Sequence, residues 1–173
     1  RVLSMLNTLM DIAEAEAGTM RLRREPTDLC RIVREVMELY EYVAEEKGVT
    51  IEARLPSGCL AWVDAARARQ VFGNLIDNAV KYTPRGGRVT ITASERDDDA
   101  IVTFADTGVG IAPEEHAKIW ERLYRSDKSR SQRGLGLGLC LVRAVVEAHR
   151  GRVSLVSEPG KGTSFTVCLP KME

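Results

Sequence analysis

Apolar residues recur at three- and four-residue steps over Val2, Met5, Leu6, Leu9, Ile12 and Ala13, predicting an amphipathic helix from residue 2 to about 16, with Gly18 as its stop. Nothing in the next few residues offers it a partner, so it is expected to pack on something outside this stretch of chain. Thr27 or Asp28 can cap a second helix running to about Lys47, with Leu29, Ile32, Val33, Val36, Met37, Tyr40 and Val43 inward and Gly48 at its end. Residues 49–55 alternate as a strand, and 60–63 read as its short partner after Pro56, Ser57 and Gly58. Asp64 caps a third helix that runs towards Pro84. Strands at 88–94 and 100–105 flank the acidic turn 96–99, and Pro113 opens a short helix ending near Leu123. Residues 124–134 are polar, basic and Ser-rich and read as a mobile loop. A helix over 135–149 and a closing hairpin, 151–157 with 164–169, complete the chain. Hairpins plus three helices long enough to cover one sheet face predict an α+β fold: a two-layer α/β sandwich on a mixed sheet, preceded by one isolated amphipathic helix.

Composition narrows the picture modestly. The 173 residues fit one domain and one extra element, and 44% hydrophobic with 29% charged residues argues against disordered, collagen-like or coiled-coil classes. With 25 basic and 25 acidic residues the net charge is zero, so no nucleic-acid partner is expected, although a local basic patch can hide in a balanced total. No apolar run approaches the ~20 residues of a membrane helix, and no signal peptide is evident. The chain opens on Arg1 and reads as a fragment of a longer one. Cys30, Cys59, Cys140 and Cys168 form no C-x-x-C pair, and are expected as free thiols serving as small apolar residues in a reducing compartment.

Three segments carry candidate chemistry. On the third helix, beside the apolar stripe Ala68, Val71, Phe72, Leu75, Ile76, Ala79 and Val80, stand Asn74, Asn78 and Lys81 at i, i+4 and i+7. Asn is a poor mid-helix residue, and amide oxygens can coordinate a hard cation while an ammonium meets phosphate; a solvated polar face is the alternative. Asp106-Thr107-Gly108-Val109-Gly110 follows a strand, a carboxylate and a bendable turn suited to a ligand with a hydrogen-bond donor. Adenine offers such a donor in its exocyclic amine, whereas guanine presents an acceptor; a simple glycine turn is the alternative. Gly134-Leu135-Gly136-Leu137-Gly138-Leu139 precedes a helix, where exposed backbone N–H groups and the dipole favour phosphate. It is neither a P-loop nor a dinucleotide fingerprint. Beside it, Arg122, Arg125, Lys128, Arg130 and Arg133 face one acid, Asp127: a phosphate-directed basic patch, or a solvated loop.

Together, Asn-x-x-x-Asn-x-x-Lys-Tyr, Asp-x-Gly-x-Gly-Ile, Gly-x-Gly-Leu-Gly-Leu and Gly160-Lys161-Gly162-Thr163-Ser164-Phe165 resemble the catalytic ATP-binding domain of sensor histidine kinases, with its Bergerat-type fold, over about residues 28–170. The segment before Gly18 looks like the second helix of the family's dimerisation and phosphoacceptor hairpin. The resemblance implies residues 1–18 as the end of that hairpin, 19–27 as a linker and 28–173 as the catalytic domain. It implies Mg²⁺ on Asn78, with Asn74 supporting the metal or the phosphates, and Lys81 and Tyr82 at phosphates and ribose. It further implies Asp106 on the adenine amine, Gly108 and Gly110 shaping that pocket, Ile111 lining it and Thr163 completing its polar network. Gly134, Gly136 and Gly138 match the glycine loop of the ATP lid, and Leu135 and Leu137 its backbone donors. Arg125 and Lys128 match cations that reach the γ-phosphate and stabilise transfer.

The implied partners are ATP, the phosphoacceptor hairpin of the same or a partner subunit, and a response regulator. The implied setting is a cytoplasmic domain of an inner-membrane-anchored homodimer. Two departures stand out: the family's Phe-x-x-Phe-Tyr segment is here Trp120-Glu121-Arg122-Leu123-Tyr124, and Thr107 stands where Asn is frequent. Gyrase- and chaperone-type relatives carry a general-base Glu one turn before the metal Asn; Asn74 cannot act so, which implies transfer to protein with slow hydrolysis. His116 and His149 match no phosphoacceptor box, so the fragment is expected to bind Mg-ATP without phosphorylating itself on His; His149 is expected to serve the end of its helix. A serine kinase of the anti-sigma-factor type and a non-catalytic nucleotide-binding module are the alternative classes.

Overall fold

The computed structural model describes residues 2–132 and 134–172, the side chain of Lys128 excepted. Helix α1 (Val2–Ala17) is followed by β1 (Glu25–Asp28), α2 (Leu29–Lys47), β2 (Thr50–Arg54), β3 (Leu60–Val63), α3 (Ala65–Tyr82), β4 (Arg88–Arg96), β5 (Asp99–Asp106), α4 (Gly138–Ala148), β6 (Arg152–Glu158) and β7 (Gly162–Pro170). The main sheet has the order β2-β4-β5-β7-β6, and β2-β4 is its one parallel pairing. Helices α2, α3 and α4 cover one face, where Val89, Ile91, Val102, Phe104 and Val167 alternate inward and Phe72 packs on Phe104 with centroids 5.3 Å apart. On the other face Thr103 and Thr166 meet hydroxyl to hydroxyl at 3.3 Å. This is the expected two-layer α+β sandwich, and all seven residues of the predicted α3 stripe are buried.

The pairing of the short strands differs from expectation. β2 does not pair with β3; it adds in parallel to β4, with Ile51 opposite Val89. β3 instead pairs antiparallel with β1, which arises from residues expected to be linker. Asp28 organises this corner: one carboxylate oxygen accepts from Cys30 N–H (3.0 Å), capping α2, and from Cys59 N–H (3.1 Å). Position 43 on α2 is exposed, and Ala44 takes the inward place. All four cysteines are free and buried, as their spacing implied.

Helix α1 is not isolated. It lies on α4, with Ile12 fully buried in the common core and Met5, Leu9 and Ala15 packed around it, while Val2, Leu3, Leu6 and Met10 face outward. Burying one isoleucine contributes about 1.5–3 kcal/mol to that docking. A bidentate ion pair adds to it: Arg67 on α3 grips the Asp11 carboxylate through both terminal nitrogens, at 2.9 and 3.1 Å. Gln70 closes the triangle, accepting from Arg67 (3.0 Å) and donating to Asp11 (3.3 Å). At the far end of α3, Lys47 donates to the carbonyls of Val80 and Lys81, and Arg85 in return donates to Glu46 O. The two helices thereby satisfy each other's terminal carbonyls and fix the end of α3 that carries Lys81 and Tyr82.

Candidate functional site

A cavity of about 560 Å³ runs along α3 between the Asp106–Thr163 end of the β5–β7 pair and α1. Its size suits a small-molecule ligand of nucleotide dimensions. Asn74, Asn78, Lys81, Tyr82, Asp106, Gly110, Ile111, Arg125, the run Gly134 to Gly138 and Thr163 all line it. Gly108 acts one step removed, donating its N–H to Asp106 Oδ1 at 2.9 Å.

At one end, Asp106, Thr163 and Ser157 stand in one cross-strand row, since Asp106 faces Thr163 and Thr163 faces Ser157 in the sheet register. Asp106 Oδ1 also accepts from Thr163 N–H (3.2 Å), leaving Oδ2 without a protein partner among the described residues. Burial pushes the Asp106 carboxyl above its ordinary range, against the pull of those two backbone donors. Ile111 forms the adjoining wall. Its N–H donates to Ser157 Oγ (2.8 Å) and its carbonyl meets His116 Nε2 (2.9 Å). The turn joins α3 as well, because Val109 N–H donates to Tyr82 O at 3.2 Å.

At the other end α4 begins without a side-chain cap, so its first N–H groups are free to meet an anion. Asn74 donates to Gln70 O within its own helix (2.9 Å) and turns its amide oxygen towards Gly138, where a Cβ would come within 3.0 Å. Asn78 lines the cavity and has no side-chain hydrogen bond among the described residues. Lys81 pairs with Asp77 (2.7 Å), a cavity residue that the sequence pattern did not single out, and its ammonium lies against Gly134. Among the described residues no group of three His, Cys, Asp or Glu is arranged to hold a metal. The amide oxygens of Asn74 and Asn78 that line this end are hard donors, chemically suited to sharing a cation such as Mg²⁺ with a ligand's own oxygens.

The segment between Pro113 and the glycine run is less regular than expected. The predicted helix is two 3-10 turns, Pro113–Glu115 and Lys118–Trp120, and the basic loop holds a third at Asp127–Ser129. The loop's roots are joined by Leu123 N–H donating to Gly136 O (3.0 Å). Leu123 is left-handed (φ 61°) and Gly136 is too (φ 71°); a side chain on Gly136 would strike Tyr124 O at 2.6 Å. Trp120 packs edge-on against Phe165 with centroids 5.8 Å apart, so the large apolar substitute still anchors the root. Tyr124 donates to Glu115 at 2.8 Å. Arg125 donates to the loop carbonyls of Ser129 and Gln132, while Arg122 pairs with Glu16 of α1 and Arg130 with Asp127. The expected excess of cations is thus partly neutralised by pairing. The Lys128 side chain and Arg133 lie outside the described residues.

Neither histidine reaches the cavity. His149 is a fully enclosed brace: Nε2 accepts Asp64 N–H (3.1 Å) and Nδ1 donates to Val145 O (2.8 Å). That bonding requires the neutral ring, and burial pushes its pKa down. It therefore ties α4 to the start of α3 as an uncharged group. Ser157, Gln70, Asp77 and the α1 residues Ser4 and Thr8 belong to the site or its support but carried no spacing signal, and Met5 read only as part of an apolar stripe.

Residues 63–173 match the family described as histidine kinase-, DNA gyrase B-, and HSP90-like ATPase. The sensor histidine kinase TmoS of Ectopseudomonas mendocina is 34% identical over 172 residues, which cover 98% of this chain and 18% of that protein. Sensor protein SrrB of Staphylococcus aureus (strain MRSA252) is 33% identical over 175 residues, covering 100% of this chain and 30% of SrrB. Full-length ShkA, solved in complex with AMPPNP, superposes with a TM-score of 0.86 at 34% identity, over 98% of this chain and 35% of that one. The Acinetobacter baumannii histidine kinase AdeS gives 0.80 at 25% identity, over 99% and 80%. The chain spans less than a third of the length of these curated relatives.

Proposed function

Because this chain belongs to the histidine kinase-, DNA gyrase B-, and HSP90-like ATPase family, as an ATP-binding catalytic domain of the sensor histidine kinase type, we propose that it presents the γ-phosphoryl group of Mg-ATP to a histidine upstream of Arg1. The carrying observation is the polarity of the cavity: a free acceptor, Asp106 Oδ2, at one end and an uncapped helix start beside Asn74 and Asn78 at the other. Adenine fits the first end by donating its exocyclic amine, and phosphates fit the second. Tyr82 borders the ribose, Lys81 and the N–H groups of the run from Gly134 to Gly138 meet the phosphates, and Asn78, supported by Asn74, holds Mg²⁺. When bound, Mg²⁺ offsets charge on the phosphate oxygens. Arg125 braces the lid through its carbonyls and exchanges these for phosphate oxygens as the lid closes; Lys128 is the second lid cation in this role.

Asn74 offers no carboxylate to activate water, so the γ-phosphoryl group awaits a protein nucleophile. The imidazole nitrogen attacks phosphorus, the bond to the bridging oxygen breaks, and ADP leaves. Residues 1–18 are the end of the phosphoacceptor hairpin, whose phosphate then passes to a response regulator. In this reading the parent protein is a membrane-anchored homodimer; no helix among the described residues is long and apolar enough to cross a membrane. Incubating the fragment with labelled Mg-ATP should leave it without acid-labile phosphate, and adding its parent's hairpin should place label on the hairpin. Acid-labile label on the fragment alone, or rapid ATP turnover without the hairpin, would overturn this reading.

A further inference from the structure

The row Asp106, Thr163, Ser157 fixes more than position. Ser157 Oγ has three polar neighbours: Ile111 N–H at 2.8 Å, Gly162 O at 3.0 Å and Thr163 Oγ1 at 2.7 Å. A hydroxyl has one proton and two lone pairs, and a carbonyl can only accept. If Ser157 gave its proton to Thr163, its lone pair would face the Gly162 carbonyl at 3.0 Å with no proton between. If Ser157 donates to Gly162 O and accepts from Ile111 and Thr163, all three contacts are hydrogen bonds. The second order is the lower in energy, because it leaves no polar pair unmatched.

The Thr163 proton is then committed away from the cavity, and the hydroxyl turns only lone pairs towards it. We infer that Ser157, which does not itself line the cavity, is a specificity-determining residue. It sets Thr163 as an acceptor, so that at this end of the site Thr163 Oγ1 and Asp106 Oδ2 form a pair of acceptors that carries no donor. Such an end takes a 6-amino purine, whose amine has two protons, and repels a 6-oxo purine. This rests on the reading of the cavity as an ATP site.

Binding of ATP, inosine triphosphate and purine riboside triphosphate to the unmodified chain tests the polarity. The expected order of affinity is ATP, then the 6-unsubstituted nucleotide, then the 6-oxo nucleotide. A 6-oxo nucleotide that binds better than the unsubstituted one would show an available donor and overturn the inference. In Ser157→Ala the Thr163 hydroxyl is released to donate into the cavity, so the preference for ATP over inosine triphosphate should fall about tenfold, the worth of one neutral hydrogen bond. An unchanged ratio, or equal loss of affinity for both, would refute the role of Ser157. Should the alanine variant fail to fold, the three-nucleotide order can still overturn the inference, by showing an available donor. Failure of the underlying ATP reading looks different: the unmodified chain would then bind none of the three nucleotides.

Discussion

At the scale of single residues, the groups that matter are those whose bonding admits only one protonation state. His149 is the clearest. Its Nε2 accepts Asp64 N–H and its Nδ1 faces Val145 O, with Arg24, Asp64 and Arg67 as the charged groups around it. Its pKa in the fold lies below the ordinary 6.5, so the unfolded chain binds the proton more readily. The stability it contributes is complete above the unfolded value and is lost as pH falls through it towards the folded value. The urea midpoint should therefore drop between about pH 7.5 and about pH 5, and His149→Gln should flatten that slope. An identical slope in the variant would remove His149 from this account. Asp106 is shifted the other way by burial, while the N–H groups of Gly108 and Thr163, and a ligand amine at Oδ2, favour its charged form.

At the scale of elements, the docking of α1 is the feature that local pattern could not supply. A lone 16-residue helix is marginal in water, so its protection depends on Ile12 and on the Arg67 fork. Both partners of the fork are about a quarter exposed, at 24% and 23%, and the bidentate pair contributes about 1–2 kcal/mol. Asp11→Ala should raise amide hydrogen exchange in α1 about 5- to 30-fold, the ratio equivalent to that energy. The double exchange Asp11→Arg with Arg67→Asp should restore most of the protection. Exchange unaffected by the single change would leave the apolar contacts of Met5, Leu9, Ile12 and Ala15 and the Glu16–Arg122 pair as the tether. The same triangle touches the site, since Gln70 supplies the carbonyl that orients Asn74, which in turn abuts Gly138.

At the scale of the whole molecule, one cavity joins α1, α3, the Asp106–Thr163 end of the β5–β7 pair and the lid, so a ligand there should stabilise all of them together. ATP at about a hundred times its Kd adds about 2.7 kcal/mol, which at this chain length raises Tm by about 5–10 °C. Asp106→Asn should abolish most of that shift at the same concentration while leaving the unliganded chain folded; a full shift in the variant would detach Asp106 from the base. Periodicity by itself determined the long helices and the apolar stripe of α3, because each is a local pattern of burial, and the cysteines' spacing implied that they are free. Motif order determined the family resemblance, and with it the nucleotide reading. Sequence could not show that β2 pairs with β4 rather than β3, that Glu25–Asp28 is a strand, or that α1 folds back on α4: these depend on which distant surfaces meet. Nor could it show Ser157 behind Thr163, or His149 uncharged between two helices. A side chain's protonation and the direction of its hydrogen bond are set by neighbours far away along the chain, and strand register alone put Asp106, Thr163 and Ser157 in one row.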